Sequence, residues 1–274
     1  MTEFTKARTI IALLVTTVLV GRESFAAEPG SRARPGSDAP KSNAMGEVKT
    51  VLPALKPDPK VEAVLAALGD NSSAILTGLK TVGEWNKINR DHHMDTRGPS
   101  GRNYCIKAAW MPDRKRAFFC GGNHGVPHRV NDAWEFDLPS HTWVQLFAPD
   151  PNNGAGVSVA KEYEYTGKDG KLKRENAWVT RRGGPATLGH TWWGLAYHPE
   201  MRAAVWMNVA INDGAVKLMK KYNVENPYTG PPMWAFYPYE KKWKPVLSDG
   251  PWPRVHCAGA MEYVPELGGG SPGC

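Results

Sequence analysis

The chain has 274 residues, 41% of them hydrophobic, with 28 Gly, 23 Pro and 11 Trp. That much Gly and Pro excludes a protein of long helices and fits many short strands joined by turns. The formal charge is +7. Lys and Arg are scattered, however, and the densest runs (Arg114-Lys115-Arg116, Lys171 to Arg174 and Lys220-Lys221) fall at predicted turns and read as solvated loops, so nothing points to nucleic-acid binding.

Residues 1–26 read as an export signal. Lys6 and Arg8 lead into an apolar run from Ile10 to Val20, and Ser24-Phe25-Ala26 places small residues where a signal peptidase needs them. The run is short for a bilayer and is followed at once by Arg22 and Glu23. The expectation is therefore removal rather than retention as an anchor, with no integral membrane segment left and a secreted or periplasmic protein. Residues 27–57 are Pro, Gly, Ser, Ala and charge without apolar periodicity, a linker that buries too little surface to offset ordering. Segment 58–84 opens with Asp58 at an N-cap and Pro59 at the first helical position. Val61, Val64, Leu65 and Leu68 share one face before Gly69, which predicts a short amphipathic helix.

Residues 85–274 repeat. Asn131-Asp132-Ala133-Trp134-Glu135-Phe136-Asp137 followed by Trp143 returns as Met233-Trp234-Ala235-Phe236 followed by Trp243, and both Trp-to-Trp spacings are nine residues. Aligned on Gly98-Pro99, Gly184-Pro185 and Gly250-Pro251, three turns coincide: Trp110-Met111-Pro112-Asp113, Tyr197-His198-Pro199-Glu200 and Tyr263-Val264-Pro265-Glu266. Pro fixes φ at such a corner and the acid bonds back to the backbone. Ile106, Ala108 and Trp110 alternate before the first turn, and Ala203, Val205 and Met207 after the second. Each unit thus reads as four antiparallel strands, the plan of a propeller blade.

The unit lengths are 86 and 66 residues, against about 40–50 for a plain blade, so both units carry insertions. The first, Pro151 to Ala177, holds an alternating Tyr163-Glu164-Tyr165 arm and a hairpin signature at Asp169-Gly170. The second, Asn212 to Pro231, has Val216, Leu218 and Met219 among several Lys and predicts one or two helical turns. Cys105 and Cys257 both stand seven residues after a unit's Gly, and Cys120 and Cys274 follow the Pro turn by eight and nine. In an exported chain the repeat favours disulfides Cys105–Cys120 and Cys257–Cys274, with four unpaired buried cysteines as the alternative. Two complete units and the opening of a third fall short of a closed propeller of roughly four to eight blades. The remaining blades are expected in cis, from a longer chain, or in trans, from other copies.

These features resemble the kelch repeat, the family of propellers that includes the central domain of galactose oxidase. Gly250-Pro251-Trp252-Pro253-Arg254-Val255-His256 is similar to the kelch opening, Cys120-Gly121-Gly122 to its double glycine, and Asn131 to Trp143 to the rest. The second unit departs, with Asn208 and Val209 at the double glycine and Tyr237-Pro238 where an aspartate belongs. The resemblance implies an all-β, kelch-type propeller with first strands innermost, acting as a recognition surface for a protein or glycan. A minority of such domains, similar to galactose oxidase, bind copper and oxidise alcohols.

Tyr104, His190 and His256 each stand six residues after a unit's Gly, at equivalent positions of the innermost strand. Tyr and His are the ligands that a copper oxidase uses, but this argument places two imidazoles where a metal needs three or four ligands. Cys105 adjoins Tyr104, and adjacent strand residues face opposite ways, which argues against a Tyr–Cys cross-link. No cofactor is expected on this reading, with copper as the alternative. His92-His93, and His124 with His128, lack acidic or Cys partners at ligand spacing. Trp192, Trp193 and Trp252 flank the opening positions and offer faces for sugar rings, while Arg254, Arg181 and Arg182 are suited to acidic groups. Trp134, Trp143, Trp234 and Trp243 are assigned to packing.

Overall fold

The computed structural model describes residues 55–99, 102, 104–122, 130–150, 158–186, 189–207, 212–231, 233–249 and 260–265. The expected export signal and nearly all of the linker lie outside the described residues. Among the described residues no helix is long and apolar enough to cross a membrane.

Helix α1 (Pro59–Ala66) starts as the sequence predicts, with the Asp58 side chain accepting from Lys60 N at 3.1 Å and Val61 buried. It ends at Ala66, ahead of Gly69. Segment 58–84 is not only helical: β1 (Lys80–Val82) pairs in parallel with β5 (Thr142–Phe147). Two short helices follow, α2 (Lys87–Asp91) and α3 (Met94–Arg97), the first opened by reciprocal capping between Asn86 and Asn89.

The regular structure of the described chain is mostly strand. β2 (Ala109–Met111), β3 (Arg116–Cys120), β4 (Ala133–Asp137) and β5 form an antiparallel meander, extended by β1 to the order β1-β5-β4-β3-β2. β8 (Leu195–His198), β9 (Ala203–Met207), β10 (Met233–Tyr237) and β11 (Lys242–Val246) form a second meander in the order β11-β10-β9-β8. The nine-residue Trp spacing has a simple cause. Phe136 lies opposite Trp143 and Phe236 opposite Trp243, so each motif is one hairpin with an aromatic cross-strand pair.

The two sheets pack face to face. Phe118 stacks on Phe236 at 5.2 Å, Trp206 and Phe236 are fully buried between the sheets, and the Trp243 indole donates to the Asn131 carbonyl at 3.0 Å. On the other face of the first sheet, Trp134 is fully buried against Trp85, Met94 and Phe119, beneath α2 and α3. All four Trp assigned to packing are packed, Trp143 partly so against Phe119 and Phe136.

One expectation needs correction. Arg114 and Arg116 do not lie in a solvated loop: both close on Glu135, which is fully buried, with Arg114 donating to Oε2 at 2.6 and 2.9 Å and Arg116 reaching Oε1 and, at 3.1 Å, Asp137. Register is the reason, since β3 lies against β4 and brings the turn's guanidiniums over the Glu135 carboxylate. Ile106, Ala108 and Trp110 do alternate with buried neighbours, but they form the exposed set; Cys105, Ala109 and Met111 face the core.

The first insertion forms the expected hairpin, the second a ten-residue helix longer than the one or two turns expected, and the two pack on each other. β6 (Ser158–Thr166) and β7 (Leu172–Thr180) make a hairpin closed by Gly167 N donating to the Lys171 carbonyl at 2.8 Å, with Gly170 at φ 74°. α4 (Asn212–Lys221) lies against β7. Met219 is buried with Trp178, Trp178 stacks on Tyr222 at 5.5 Å, and Asn176 exchanges backbone hydrogen bonds with Asn226 and Tyr228. The turns β2–β3, β4–β5, β8–β9 and β10–β11 share one end of the sheets by strand direction. Both insertions leave from the other.

Candidate functional site

At the insertion end, the segment leading into β2 runs beside the segment leading into β8. Trp192 N donates to the Tyr104 carbonyl at 2.8 Å, Gly122 N to the Gly189 carbonyl at 2.9 Å, and the Thr191 hydroxyl to the Cys120 carbonyl at 2.6 Å. This seam brings three of the sequence-predicted residues together. The Tyr104 ring stacks on Trp192 at 4.5 Å and meets His190 edge-on at 4.8 Å, and His190 lies edge-on to Trp192 at 5.5 Å. His190 is buried, Trp192 half-buried and Tyr104 exposed.

Two of the three hold left-handed backbone, Tyr104 at φ 62° and Trp192 at φ 46°. Large side chains rarely adopt it, and it costs on the order of 1–3 kcal/mol each. The Trp192 indole N–H is shielded from solvent and has no hydrogen-bond partner among the described residues. Beneath the cluster, Gly121 has φ 102°, and a Cβ there would lie 2.1 Å from the Thr191 hydroxyl, so the double glycine is what lets the two segments touch. Trp193 and Arg181 are exposed. Arg182 is used internally, bonding Asp150 at 2.9 Å and lying 4.2 Å above the Phe147 ring.

Compared with known family models, curated proteins and solved structures, the chain matches none.

The remaining candidates divide. His256, Arg254 and Trp252 lie outside the described residues, as do Cys257, Cys274, His124 and His128. Cys105 and Cys120 are buried free thiols, so the expected Cys105–Cys120 disulfide is not made in the structure. Cys105 Sγ faces the Gly122 carbonyl at 3.8 Å instead. Burial pushes the Cys105 thiol up, and burial with the neighbouring Cys105 pushes Cys120 well above the usual thiol range. Tyr104 is exposed and Cys105 buried, but neither stands in a strand as expected: Tyr104 holds a left-handed turn ahead of β2. Among the described residues no three His, Cys, Asp or Glu side chains converge as a metal would need.

Sequence reasoning missed the support below the site. Arg102 and Asp132 form an ion pair with both side chains fully buried; Arg102 also donates to the Gly121 carbonyl at 2.9 Å, and Asp132 accepts the Trp134 indole N–H. The signal was present: Gly98-Pro99-Ser100-Gly101-Arg102 has the same form as Gly250-Pro251-Trp252-Pro253-Arg254.

Proposed function

We propose that the chain is part of an exported, kelch-like propeller and serves as a recognition module that takes a glycan or protein ligand at the insertion end. The observation that carries this reading is the Tyr104–Trp192 stack, an aromatic platform with one exposed ring, held in strained backbone over a buried His190. An exposed tyrosine fixed on an indole offers a rigid apolar face to a sugar ring at low entropic cost. The packed insertions leave from the same end of the sheets. A glycan is the ligand these features fit best.

The propeller reading is supported by two meanders of like register packed through their faces, and by a third segment, 260–265, which bridges Trp193 through Ala260. The copper-oxidase alternative draws on the Tyr104–His190 contact, which supplies one phenol and one imidazole. Binding of the purified chain to a glycan array tests the main reading. Trp192→Ala and Tyr104→Ala are each expected to weaken capture by roughly tenfold or more. Equal capture by both variants, or stoichiometric copper in the purified protein, would turn the assignment away from a recognition module.

A further inference from the structure

The turn that carries Trp192 is closed by Gly194 N donating to the Thr191 carbonyl at 2.9 Å. Trp192 is the second residue of that turn and holds φ 46°, at a position where a positive φ is ordinarily taken by Gly, Asn or Asp. Tyr104, on the facing segment, holds φ 62°. Neither residue favours this backbone on its own, so the surrounding structure has to impose it on both halves of the stack.

One side of the turn is anchored in its own sheet, where Met207 N donates to the Gly194 carbonyl at 2.8 Å. The other side crosses to the first sheet. Two of the bonds in that crossing, Trp192 N to the Tyr104 carbonyl and Gly122 N to the Gly189 carbonyl, run from backbone to backbone and do not depend on side-chain type. The third is made by a side chain. Thr191 is 1% exposed, and its hydroxyl donates to the Cys120 carbonyl at the end of β3 at 2.6 Å. It passes Gly121, where the space a Cβ would fill is taken by the Thr191 hydroxyl and the Cys105 thiol. Thr191 therefore joins the residue before Trp192 to the strand that runs beside Tyr104.

We propose that Thr191 is the positioning residue of the platform: its hydroxyl holds Trp192 beneath Tyr104 and so sets the affinity of the site for a glycan without touching the ligand. The affinity rests on the recognition reading above, whereas the stack is measured without any ligand. Valine matches threonine in shape and lacks the donor, and serine keeps the donor and loses the methyl group.

Near-UV circular dichroism and glycan-array capture on the same preparations test it. Tyr104→Ala defines the part of the near-UV signal that the stack contributes. Thr191→Val is expected to lose most of that part and to weaken capture by roughly tenfold, and Thr191→Ser to bring both back to within about twofold of wild type. Tyr197→Phe removes a hydrogen bond to Asp113 at the turn end of the same sheets and controls for lost stability. It should lower the urea midpoint and leave the stack signal and capture unchanged. A Thr191→Val protein that keeps the stack signal overturns the proposal, as does a Thr191→Ser protein that fails to restore it or a Tyr197→Phe protein that loses as much. A Thr191→Val chain without a cooperative urea transition also overturns it, since Thr191 would then support the fold rather than position the stack. If wild type captures no glycan while Thr191→Val loses the stack signal and Thr191→Ser regains it, the role of Thr191 stands and the recognition reading falls.

Discussion

The two sheets share a plan and differ in what they bury. At the position of the first sheet's Glu135 the second sheet has Ala235, and at Arg116 it has Ala203; all four are buried, Arg116 least deeply. The first sheet thus encloses an Arg114–Glu135–Arg116 cluster, with Asp132 and Arg102 as a second buried pair, where the second sheet encloses methyl groups. The same backbone register accepts either solution. Charge inside a sheet is tolerated only when every partner is present, whereas alanine asks for none. The first sheet should therefore be the more sensitive to single substitutions without being the more stable.

The largest expected effect follows from removing the shared anion. Glu135→Ala leaves the buried Arg114 guanidinium without its carboxylate and Arg116 with Asp137 alone, and should cost about 3–5 kcal/mol in urea unfolding, while Ala235→Ser in the second sheet should cost far less. The comparison sharpens if the cluster is replaced as a unit. Changing Arg114, Glu135 and Arg116 together to apolar residues of similar volume should recover most of that loss. A triple variant as unstable as Glu135→Ala would show that the charges also set the register of β3 on β4.

A smaller effect is expected where the first sheet meets the platform. Gly121→Ala forces a Cβ into the Thr191 hydroxyl at a φ that only glycine adopts freely, which should cost about 2 kcal/mol. The same substitution should part the Tyr104 segment from the Trp192 segment, so ligand capture should fall by more than the stability loss alone explains. Thermal unfolding and array binding of one preparation separate the two.

What was legible in the sequence follows from what is local. The Trp spacing, the Asp169-Gly170 turn and the Asp58-Pro59 helix start are short-range signals, and each sits where it was expected. β1 was not legible because three residues are too few to show a period and its parallel partner lies about sixty residues on. Arg114 and Arg116 looked like loop charges because only the cross-strand register, which sets Glu135 opposite Phe118, brings its carboxylate within their reach. Within the site, the shared offset of Tyr104 and His190 from their glycines anticipated that they meet. The left-handed backbone at Tyr104 and Trp192 leaves no trace in residue type, since neither is a residue that favours it.

The smallest expected effect concerns the clasp between the sheets at the turn end. Burial alone would push the Asp113 carboxyl up, but hydrogen bonds from Tyr197, Tyr239 and Arg202 outweigh it and hold the group below the usual carboxylate range. A carboxyl depressed on folding contributes stability that is fully present above its unfolded value near pH 4 and is lost as pH falls through the lower folded value. Tyr197→Phe removes one of the three donors and should cost about 1 kcal/mol at neutral pH. The difference from wild type should shrink in acid as Asp113 protonates in both proteins. Urea midpoints of the two proteins at pH 7 and pH 3 decide the point: a difference that is constant across that range would mean the hydroxyl matters for packing against Ala204 and Leu195 rather than for the charge it serves.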